Sequence, residues 1–120
     1  MSYDISLCDP VSGETLHTDS KHEMQGGTRC AGGTTELWLN VTWNYSEFYY
    51  RDDVFGENGI RTIYGKSGLD SIPILEKAIA ALGNDVTDNY WDGTEGNAKR
   101  PLIQLLTMAK MRPDGIWRGD

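Results

Sequence analysis

The sequence predicts an α+β fold, in which an N-terminal antiparallel β-sheet (a hairpin plus a long strand) packs with two to three C-terminal helices. Three observations lead to this prediction. Apolar and polar residues alternate at the start of the chain, an aromatic-rich segment has the same period of two, and two later segments carry apolar residues at helical spacing. Strands followed by helices are typical of this class. A chain of 120 residues suits one compact domain, 1–120.

The first strands are predicted from short-range alternation. Tyr3, Ile5 and Leu7 alternate with polar neighbours, which indicates a half-buried strand. Turn-forming residues occupy 9–13, and residues 14–18 are predicted to return as the second arm of a hairpin.

A second strand is predicted over 35–45, within the segment TTELWLNVTWNYS. As a helix, this segment would scatter its aromatic residues around the axis. As a strand, it places the following residues on one face: Leu37, Leu39, Val41, Trp43 and Tyr45. Ser46 is then expected to cap a short helix that runs to about Phe55.

Two longer helices follow. The first is expected to start at Asp70 or Ser71, with Pro73 in its first turn and Gly83 just beyond its end. Its predicted buried stripe is Ile72, Leu75, Ile79 and Leu82. A polar loop, 84–96, separates it from the second helix, which is expected over Ala98 to Met111. The predicted buried stripe of this last helix is Leu102, Leu105, Leu106 and Ala109.

Composition narrows the classes of function. The chain has 11 Lys and Arg against 18 Asp and Glu, a net charge of −7, which argues against direct binding to nucleic acid. No apolar run approaches the length of a membrane span, and the first residues lack the features of a signal peptide. We therefore expect a cytoplasmic protein with no membrane partner.

The common catalytic and metal motifs are not matched. The segment YGKSG resembles a phosphate loop, but its upstream glycine is Gly59, one residue out of register. The sequence also lacks a nucleophile-elbow pattern and an EF-hand spacing, so we expect a protein that is not an enzyme and that needs no cofactor.

Zinc binding remains an open alternative. Zinc accepts the ligand set Cys8, His17, His22 and Cys30, although the spacing of these residues matches no familiar zinc finger. Cys8 also suits a buried strand position as a small apolar residue. Our prediction assigns no metal ligand.

Anion binding is better supported by the residues near the C-terminus. Tyr90 and Trp91 offer faces on which a base can stack, and Asn97 has both a donor and an acceptor for a purine edge. Arg100 lies in the first turns of the last helix, where free N–H groups already favour anions. The competing structural explanation makes Trp91 a lid of the core, Asn97 a cap and the arginines solvated.

Two Gly-Gly-Thr triplets precede the predicted long strand. They comprise Gly26, Gly27 and Thr28, then Gly32, Gly33 and Thr34. Successive backbone N–H groups at such glycines can form an anion-binding nest, to which the threonine hydroxyls would add donors. Alternatively, the glycines allow close backbone packing where the chain enters the strand.

Five segments carry a resemblance that covers nearly the whole chain: SYDISLCDP, GGTRCAGGTTELWLNVTWNYS, GIRTIYG, DNYWDGTEGNAKR and MRPDGIW. Together they resemble small phage and prophage proteins, the Thoeris anti-defence sponges of the first type. The resemblance implies sequestration, without cleavage, of cyclic ADP-ribose isomers made by bacterial TIR enzymes. Some of these sponges also bind cyclic trinucleotides.

The resemblance also implies a homo-oligomer built from dimers, with pockets shared between subunits, in the cytoplasm of the bacterial host. Its pocket chemistry, an aromatic group, an amide and arginines, points to these candidates: Arg61, Tyr90, Trp91, Asn97, Arg100 and Arg112. Two other classes remain open. One is an acidic, protein-directed inhibitor such as an anti-CRISPR or DNA mimic, and the other is a structural phage protein that assembles through 35–45.

Overall fold

A computed structural model describes residues 2–23 and 32–120. Its central strand is β1, Ser2–Cys8. Strands β4, Trp38–Thr42, and β5, Ile116–Gly119, flank β1 on either side, and both pair with it antiparallel. The predicted alternation of Tyr3, Ile5 and Leu7 is confirmed, because all three side chains are buried. The α+β class is confirmed as well.

A second, two-stranded sheet pairs β2, His17–His22, with β3, Thr34–Glu36. The predicted hairpin with β1 is therefore short. Thr15 bridges Cys8, and the chain then leaves β1 to pair with β3.

Three backbone hydrogen bonds form a closed ring where the two sheets meet. The N–H of Leu7 donates to the carbonyl of Leu37, that of Leu37 to Leu16, and that of Leu16 back to Leu7, at 2.8–2.9 Å. All three side chains are buried. We call this junction the leucine ring.

The predicted long strand 35–45 is interrupted, and this prediction is corrected in two places. Leu37 separates β3 from β4, and the extended backbone ends at Thr42. Residues Trp43–Tyr45 form a turn of 3-10 helix, because the Thr42 side chain accepts a hydrogen bond from the Asn44 N–H. Of the five residues predicted to share one face of the strand, four are buried, whereas Trp43 is 38% exposed. The buried residues are Leu37, Leu39, Val41 and Tyr45.

The predicted helix after Ser46 is also shorter than expected. Helix α1, Ser46–Tyr49, is one turn long, and turns follow it instead of helix up to Phe55. The Ser46 hydroxyl does not cap it but bonds the Tyr3 hydroxyl at 2.8 Å. Farther along, Gly59–Ile63 forms a second 3-10 helix.

Helix α2 spans Gly68–Ala81, and Gly83 lies just beyond its end as predicted. Its cap is Ser67, whose side chain accepts from the Asp70 N–H, rather than Asp70 or Ser71. The segment YGKSG is therefore a turn leading into α2, and it is held by backbone bonds between Trp117 and its Gly65 and Lys66. Of the predicted stripe, Leu75 and Leu82 are buried, whereas Ile72 and Ile79 are half-buried.

Helix α3 spans Glu95–Met111 and packs against α2. It begins three residues before the predicted start, because Thr94 accepts a hydrogen bond from the Asn97 N–H and caps the helix. In the predicted stripe, Leu102, Leu105 and Ala109 are buried and Leu106 is half-buried. No helix in the two described ranges is long and apolar enough to cross a membrane.

Strand β5 was not predicted from the sequence. It carries Trp117, which is fully buried and whose indole N–H donates to the Ser71 hydroxyl at 2.8 Å. That hydroxyl in turn donates to the carbonyl of Gly68. Ser71 therefore joins the sheet to the first turns of α2 through two buried hydrogen bonds.

We predict that Ser71→Ala lowers the free energy of unfolding by about 1–3 kcal/mol, because it leaves the buried indole N–H without an acceptor. Urea denaturation followed by circular dichroism measures the change. Ser20→Ala, at an exposed position on β2, is the matched control and should change stability by less than about 0.5 kcal/mol. Equal effects of the two variants would contradict a structural role for the Ser71 bond.

Candidate functional site

The turn Trp43–Tyr45 is the point at which several predicted site residues come together. On one side, the Thr42 N–H donates to the Tyr90 hydroxyl at 2.9 Å, and the Asn44 side-chain amide donates to the Trp91 carbonyl at 2.8 Å. These bonds attach the loop 87–94 to the turn. On the other side, Arg61 lies near the Trp43 ring. The turn thus connects two groups of residues that are far apart in the sequence.

Arg61 belongs to a cluster of one cation and three aromatic rings, which we call the cationic–aromatic cluster: Tyr3, Trp43, Tyr50 and Arg61. The guanidinium carbon lies 5.0 Å from the centre of the Tyr3 ring and 6.0 Å from that of Trp43. The two rings are 5.8 Å apart. This geometry allows a cation–π interaction, which keeps Arg61 extended along the aromatic faces.

The cluster is open to solvent on one side. Trp43 is 38% exposed, Tyr50 is 44% exposed and Arg61 is exposed, whereas Tyr3 is buried beneath them. The Nε of Arg61 donates to the carbonyl of Asp120 at 2.9 Å. Among the residues that the structure describes, no acceptor lies within hydrogen-bonding distance of its two terminal nitrogens. These nitrogens are available to an incoming anion.

Gly59 allows Tyr50 to lie against the 3-10 helix that carries Arg61. A Cβ atom on Gly59 would lie 3.0 Å from the Tyr50 ring, and its φ of +56° favours glycine. Burial raises the pKa of the Tyr3 phenol, so Tyr3 remains a neutral platform under Arg61.

Asn97 is placed differently from its predicted role. Its side chain is 1% exposed, and its amide nitrogen contacts the Thr87 hydroxyl at 3.0 Å and the carbonyls of Asn89 and Asp92 at 3.0 and 3.2 Å. Its amide oxygen accepts from the Thr87 N–H at 3.1 Å. The amide therefore holds the loop 87–94 against α3. In this conformation, both the nitrogen and the oxygen of the amide are hydrogen-bonded within the chain. The proposed hydrogen bonding of Asn97 to a purine edge stays a prediction.

Trp91 is the exposed ring of this loop, at 52% exposure, and it packs edge-on against Tyr90 with ring centres 5.0 Å apart. Tyr90 packs in turn against buried Tyr45, and burial raises the pKa of Tyr90 to about 12. Arg100 is exposed on α3, and its charge opposes the rise that burial causes in the pKa of Tyr45. Tyr90 and Arg100 therefore lie close to Tyr45, and Trp91 lies against the Tyr90 ring.

Arg112 lies apart from the other predicted residues. Its guanidinium forms two hydrogen bonds with the Asp114 carboxylate, at 3.0 and 2.9 Å, and this pairing lowers the pKa of Asp114. It lies near Asp9, beyond the Cys8 end of β1, whereas Arg61 lies over Tyr3 at the other end. Tyr3 and Cys8 are five residue steps apart along β1, about 17 Å at 3.4 Å per residue. Within one chain, Arg112 and Arg61 do not share a pocket.

The glycine-rich stretch is only partly within the described residues. Gly26, Gly27 and Thr28 lie outside them, so the anion-nest prediction stays a prediction. Gly33 has a φ of +79°, and a Cβ there would lie 3.1 Å from the Lys21 Cβ. Close packing of β2 therefore explains Gly33, in line with the steric alternative. Gly32 has a φ of +82° and open space around it, and the Thr34 hydroxyl accepts from the Glu36 N–H.

The candidate zinc ligands have other partners in the structure. Cys8 is buried in β1, His17 bonds the Thr35 hydroxyl at 2.8 Å, and His22 Nε2 donates to the Glu36 carbonyl. Cys30 lies outside the described residues, so the four-ligand set is not tested. Within residues 2–23 and 32–120, no three His, Cys, Asp or Glu side chains are arranged to hold a metal ion.

Sequence reasoning missed two features. The first is the exposure of Trp43 and Tyr50, which lie beyond the observed end of β4 at Thr42. The second is a cleft of about 320 Å³ between β2, β4 and the C-terminal half of α3. The sequence contains a signal for this cleft, because Ile103, Thr107 and Met111 are spaced four residues apart and therefore share one face of α3. The structure shows that this face is exposed.

Asn97→Ala is predicted to destabilise the fold by about 1–3 kcal/mol, because it removes the bonds that hold the loop 87–94 and leaves the Thr87 N–H unpaired. Thermal or urea unfolding measures this loss, and Asn58→Ala is the control at an exposed position without a side-chain cap bond. A fully stable Asn97→Ala protein would contradict the structural role.

Comparison with known proteins identifies no relative of this chain. No protein-family model, curated protein or solved structure matches the chain. The family resemblance seen in the sequence therefore remains a prediction.

Proposed function

We propose that this chain is a phage anti-defence protein of the bacterial cytoplasm that binds and sequesters a cyclic nucleotide signal, a cyclic ADP-ribose isomer, without cleaving it. The observation that carries the proposal is the cationic–aromatic cluster. Its guanidinium lies along two aromatic faces with both terminal nitrogens open, beside two exposed rings. The resemblance to the Thoeris sponges supplies the class of ligand.

The cluster matches the chemistry of such a ligand in two respects. A purine can stack on the exposed face of Trp43 or Tyr50, since every base offers a π-face to an aromatic side chain. The pyrophosphate can accept hydrogen bonds from the terminal nitrogens of Arg61, and charge-assisted bonds of this kind are roughly twice as strong as neutral ones. Trp91, on the other side of the turn, offers a further stacking surface.

The net charge of −7 requires that affinity come from close contacts. At physiological salt, the repulsion of an anion falls off beyond about 8 Å, so the carboxylates that oppose Arg61 are those close to it, such as that of Asp120. Arg61 is the only arginine in the cluster, and Arg100 and Arg112 lie elsewhere on the chain. We extend the proposal to a dimer in which a second copy brings further arginines to the ligand, as the family resemblance implies.

The cationic–aromatic cluster contains no serine, cysteine or histidine that could act as a nucleophile or a base, which supports binding of the ligand without its cleavage. The described chain does contain a hydroxyl–imidazole pair, Thr35 and His17, which resembles half of a catalytic triad. This pair is exposed on the small sheet, and among the described residues no carboxylate bonds the histidine to orient it. Intact release of the ligand is the expected behaviour.

The test of sequestration is a release experiment. The protein is incubated with a cyclic ADP-ribose isomer and freed of excess ligand by filtration. It is then heat-denatured, and the supernatant is analysed by mass spectrometry. We expect intact cyclic ligand in a fixed ratio to protein. A linear or hydrolysed product would mean that the protein is an enzyme.

Calorimetric titration of variants tests the location of the site. Arg61→Gln and Trp43→Ala are each expected to weaken binding by about tenfold to a hundredfold, the size of a lost charged or stacking contact. Lys77→Gln removes a positive charge from an exposed position on α2 and is the control. Circular dichroism checks that each variant is folded.

Two results would overturn the proposal. Unchanged affinity in folded Arg61→Gln and Trp43→Ala would remove the cluster as the site. Failure of the unmodified protein to bind any cyclic nucleotide, with capture of a stoichiometric Cas or restriction subunit from a host that carries defence systems, would favour the acidic inhibitor class.

A further inference from the structure

Asp120 joins the end of β5 to the cationic–aromatic cluster. Its backbone oxygen accepts a hydrogen bond from the Arg61 Nε at 2.9 Å, and its side-chain Oδ1 accepts one from the Asp4 N–H at 3.0 Å. One residue therefore contacts both the 3-10 helix that carries Arg61 and the central strand β1. The two bonds, which have normal lengths, fix the position of Asp120 relative to Arg61.

The backbone just before Asp120 is held in place by an aromatic ring. A Cβ atom on Gly119 would overlap the Tyr64 ring, so this ring lies directly against the Gly119 backbone. Tyr64 immediately follows the 3-10 helix Gly59–Ile63, which contains Arg61. The end of β5 and Arg61 are thus held together by packing as well as by the Asp120 bond.

The bond to Asp120 orients the Arg61 guanidinium towards an outside ligand. Because the Asp120 backbone oxygen takes the Nε hydrogen, the two terminal nitrogens remain as a fork with no acceptor among the described residues. Such a fork can contact two oxygens of one phosphate group at once. The backbone of Asp120 therefore positions Arg61 for the anion contact.

The side chain of Asp120 has the opposite effect, because it places a negative charge close to the same guanidinium. Covalent geometry keeps its carboxyl carbon within about 5 Å of the backbone oxygen that Arg61 contacts. The Tyr64 phenol responds to both charges. Burial raises the pKa of Tyr64, the Asp120 carboxylate raises it further, and Arg61 opposes the rise. An anion held by Arg61 is therefore exposed to repulsion from Asp120.

We propose that Asp120 is a specificity-determining residue of the cationic–aromatic cluster, which it biases towards phosphates with one negative charge and against phosphates with two. This inference rests on the proposed function, which places a phosphate of the ligand at Arg61. Coulomb repulsion is proportional to the charge of the ligand, so Asp120 weakens the binding of a terminal phosphate more than that of a phosphodiester. The phosphates of a cyclic ADP-ribose isomer belong to the favoured class, because none of them is terminal.

Two adenine nucleotides that differ by one methyl group test this role. At about pH 8, adenosine 5′-monophosphate carries two negative charges, because the second pKa of a phosphate is about 6, whereas its methyl ester carries one. Both probes are titrated by NMR into the unmodified protein and into Asp120→Asn at about 0.01 M salt, where the Debye length is about 30 Å. The variant keeps the backbone oxygen and a side-chain acceptor for the Asp4 N–H.

We expect Asp120→Asn to bind the methyl ester about twofold to threefold more tightly than the unmodified protein does, and the monophosphate about fourfold to ninefold more tightly. These are the effects of removing one unit charge at about 7–10 Å in water. Both gains should shrink at about 1 M salt, where the Debye length is about 3 Å. Asp19→Asn, at an exposed position on β2, is the matched control and should leave the ratio of the two affinities unchanged.

Equal gains for the two probes would overturn the charge-dependent role, because a merely structural effect of Asp120 does not depend on the charge of the ligand. Asp120→Ala is a second test that removes the charge together with the bond to Asp4. It should change the ratio of the two affinities by the same factor as Asp120→Asn. Circular dichroism checks that each variant is folded.

The outcome for the proposed function is separate. If both probes bind and respond to Asp120 as expected, but a cyclic ADP-ribose isomer does not bind, the proposed function fails and the role of Asp120 stands. No binding of either probe at about millimolar concentration, or unchanged affinities in Asp120→Asn, would overturn the role of Asp120. The release experiment would still decide whether the protein sequesters the isomer.

Discussion

The leucine ring is the constraint on which the rest of the architecture depends. Leu7, Leu16 and Leu37 each donate one backbone bond and accept another, so three strand segments meet without a shared ladder. Burial of all three side chains makes the alternative, three pairs of unsatisfied backbone groups, costly. The ring therefore divides the N-terminal half into two sheets.

This division separates the cleft from the cationic–aromatic cluster. On one side of the leucine ring, β2 and β3 form a separate two-stranded sheet, and the cleft lies between β2, β4 and α3. On the other side, β4 extends for only five residues before the chain turns at Trp43. The exposed rings and Arg61 gather at that turn. The apolar cleft thus lies beside the break at Leu37, and the cationic surface lies beside the second break, after Thr42.

Features that depend on local pattern were predictable from the sequence. The alternation of β1 and the stripes of α2 and α3 follow from side-chain periodicity, which requires no knowledge of distant partners. The break at Leu37 could not be predicted, because its backbone bonds go to residues far away in the chain. The early starts of α2 and α3 reflect caps by Ser67 and Thr94, which compete with other polar residues nearby.

The candidate site illustrates the same limit. Arg61, Tyr90 and Trp91 were selected by residue type, and the structure attaches all three to one turn. Asn97 was selected by the same reasoning, yet its amide forms hydrogen bonds with three residues of the loop 87–94. No local sequence pattern predicts that this loop folds back onto Asn97. Trp43 was placed on the strand face of Leu39 and Val41 because the apolar alternation continues past the end of β4, yet it is 38% exposed.

The pairing of β1 with β5 has a consequence for how the chain folds. The Asp4 N–H donates to the Asp120 carboxylate across 116 residues of sequence, and Trp117 lies opposite Leu7. The second edge of the central strand is therefore covered only after the segment Ile116–Gly119 has been synthesised. Contacts of such high sequence separation slow folding, since the entropy of loop closure is lost before the contacts compensate it. Until β5 has formed, the open edge of β1 is exposed to mispairing with other strands.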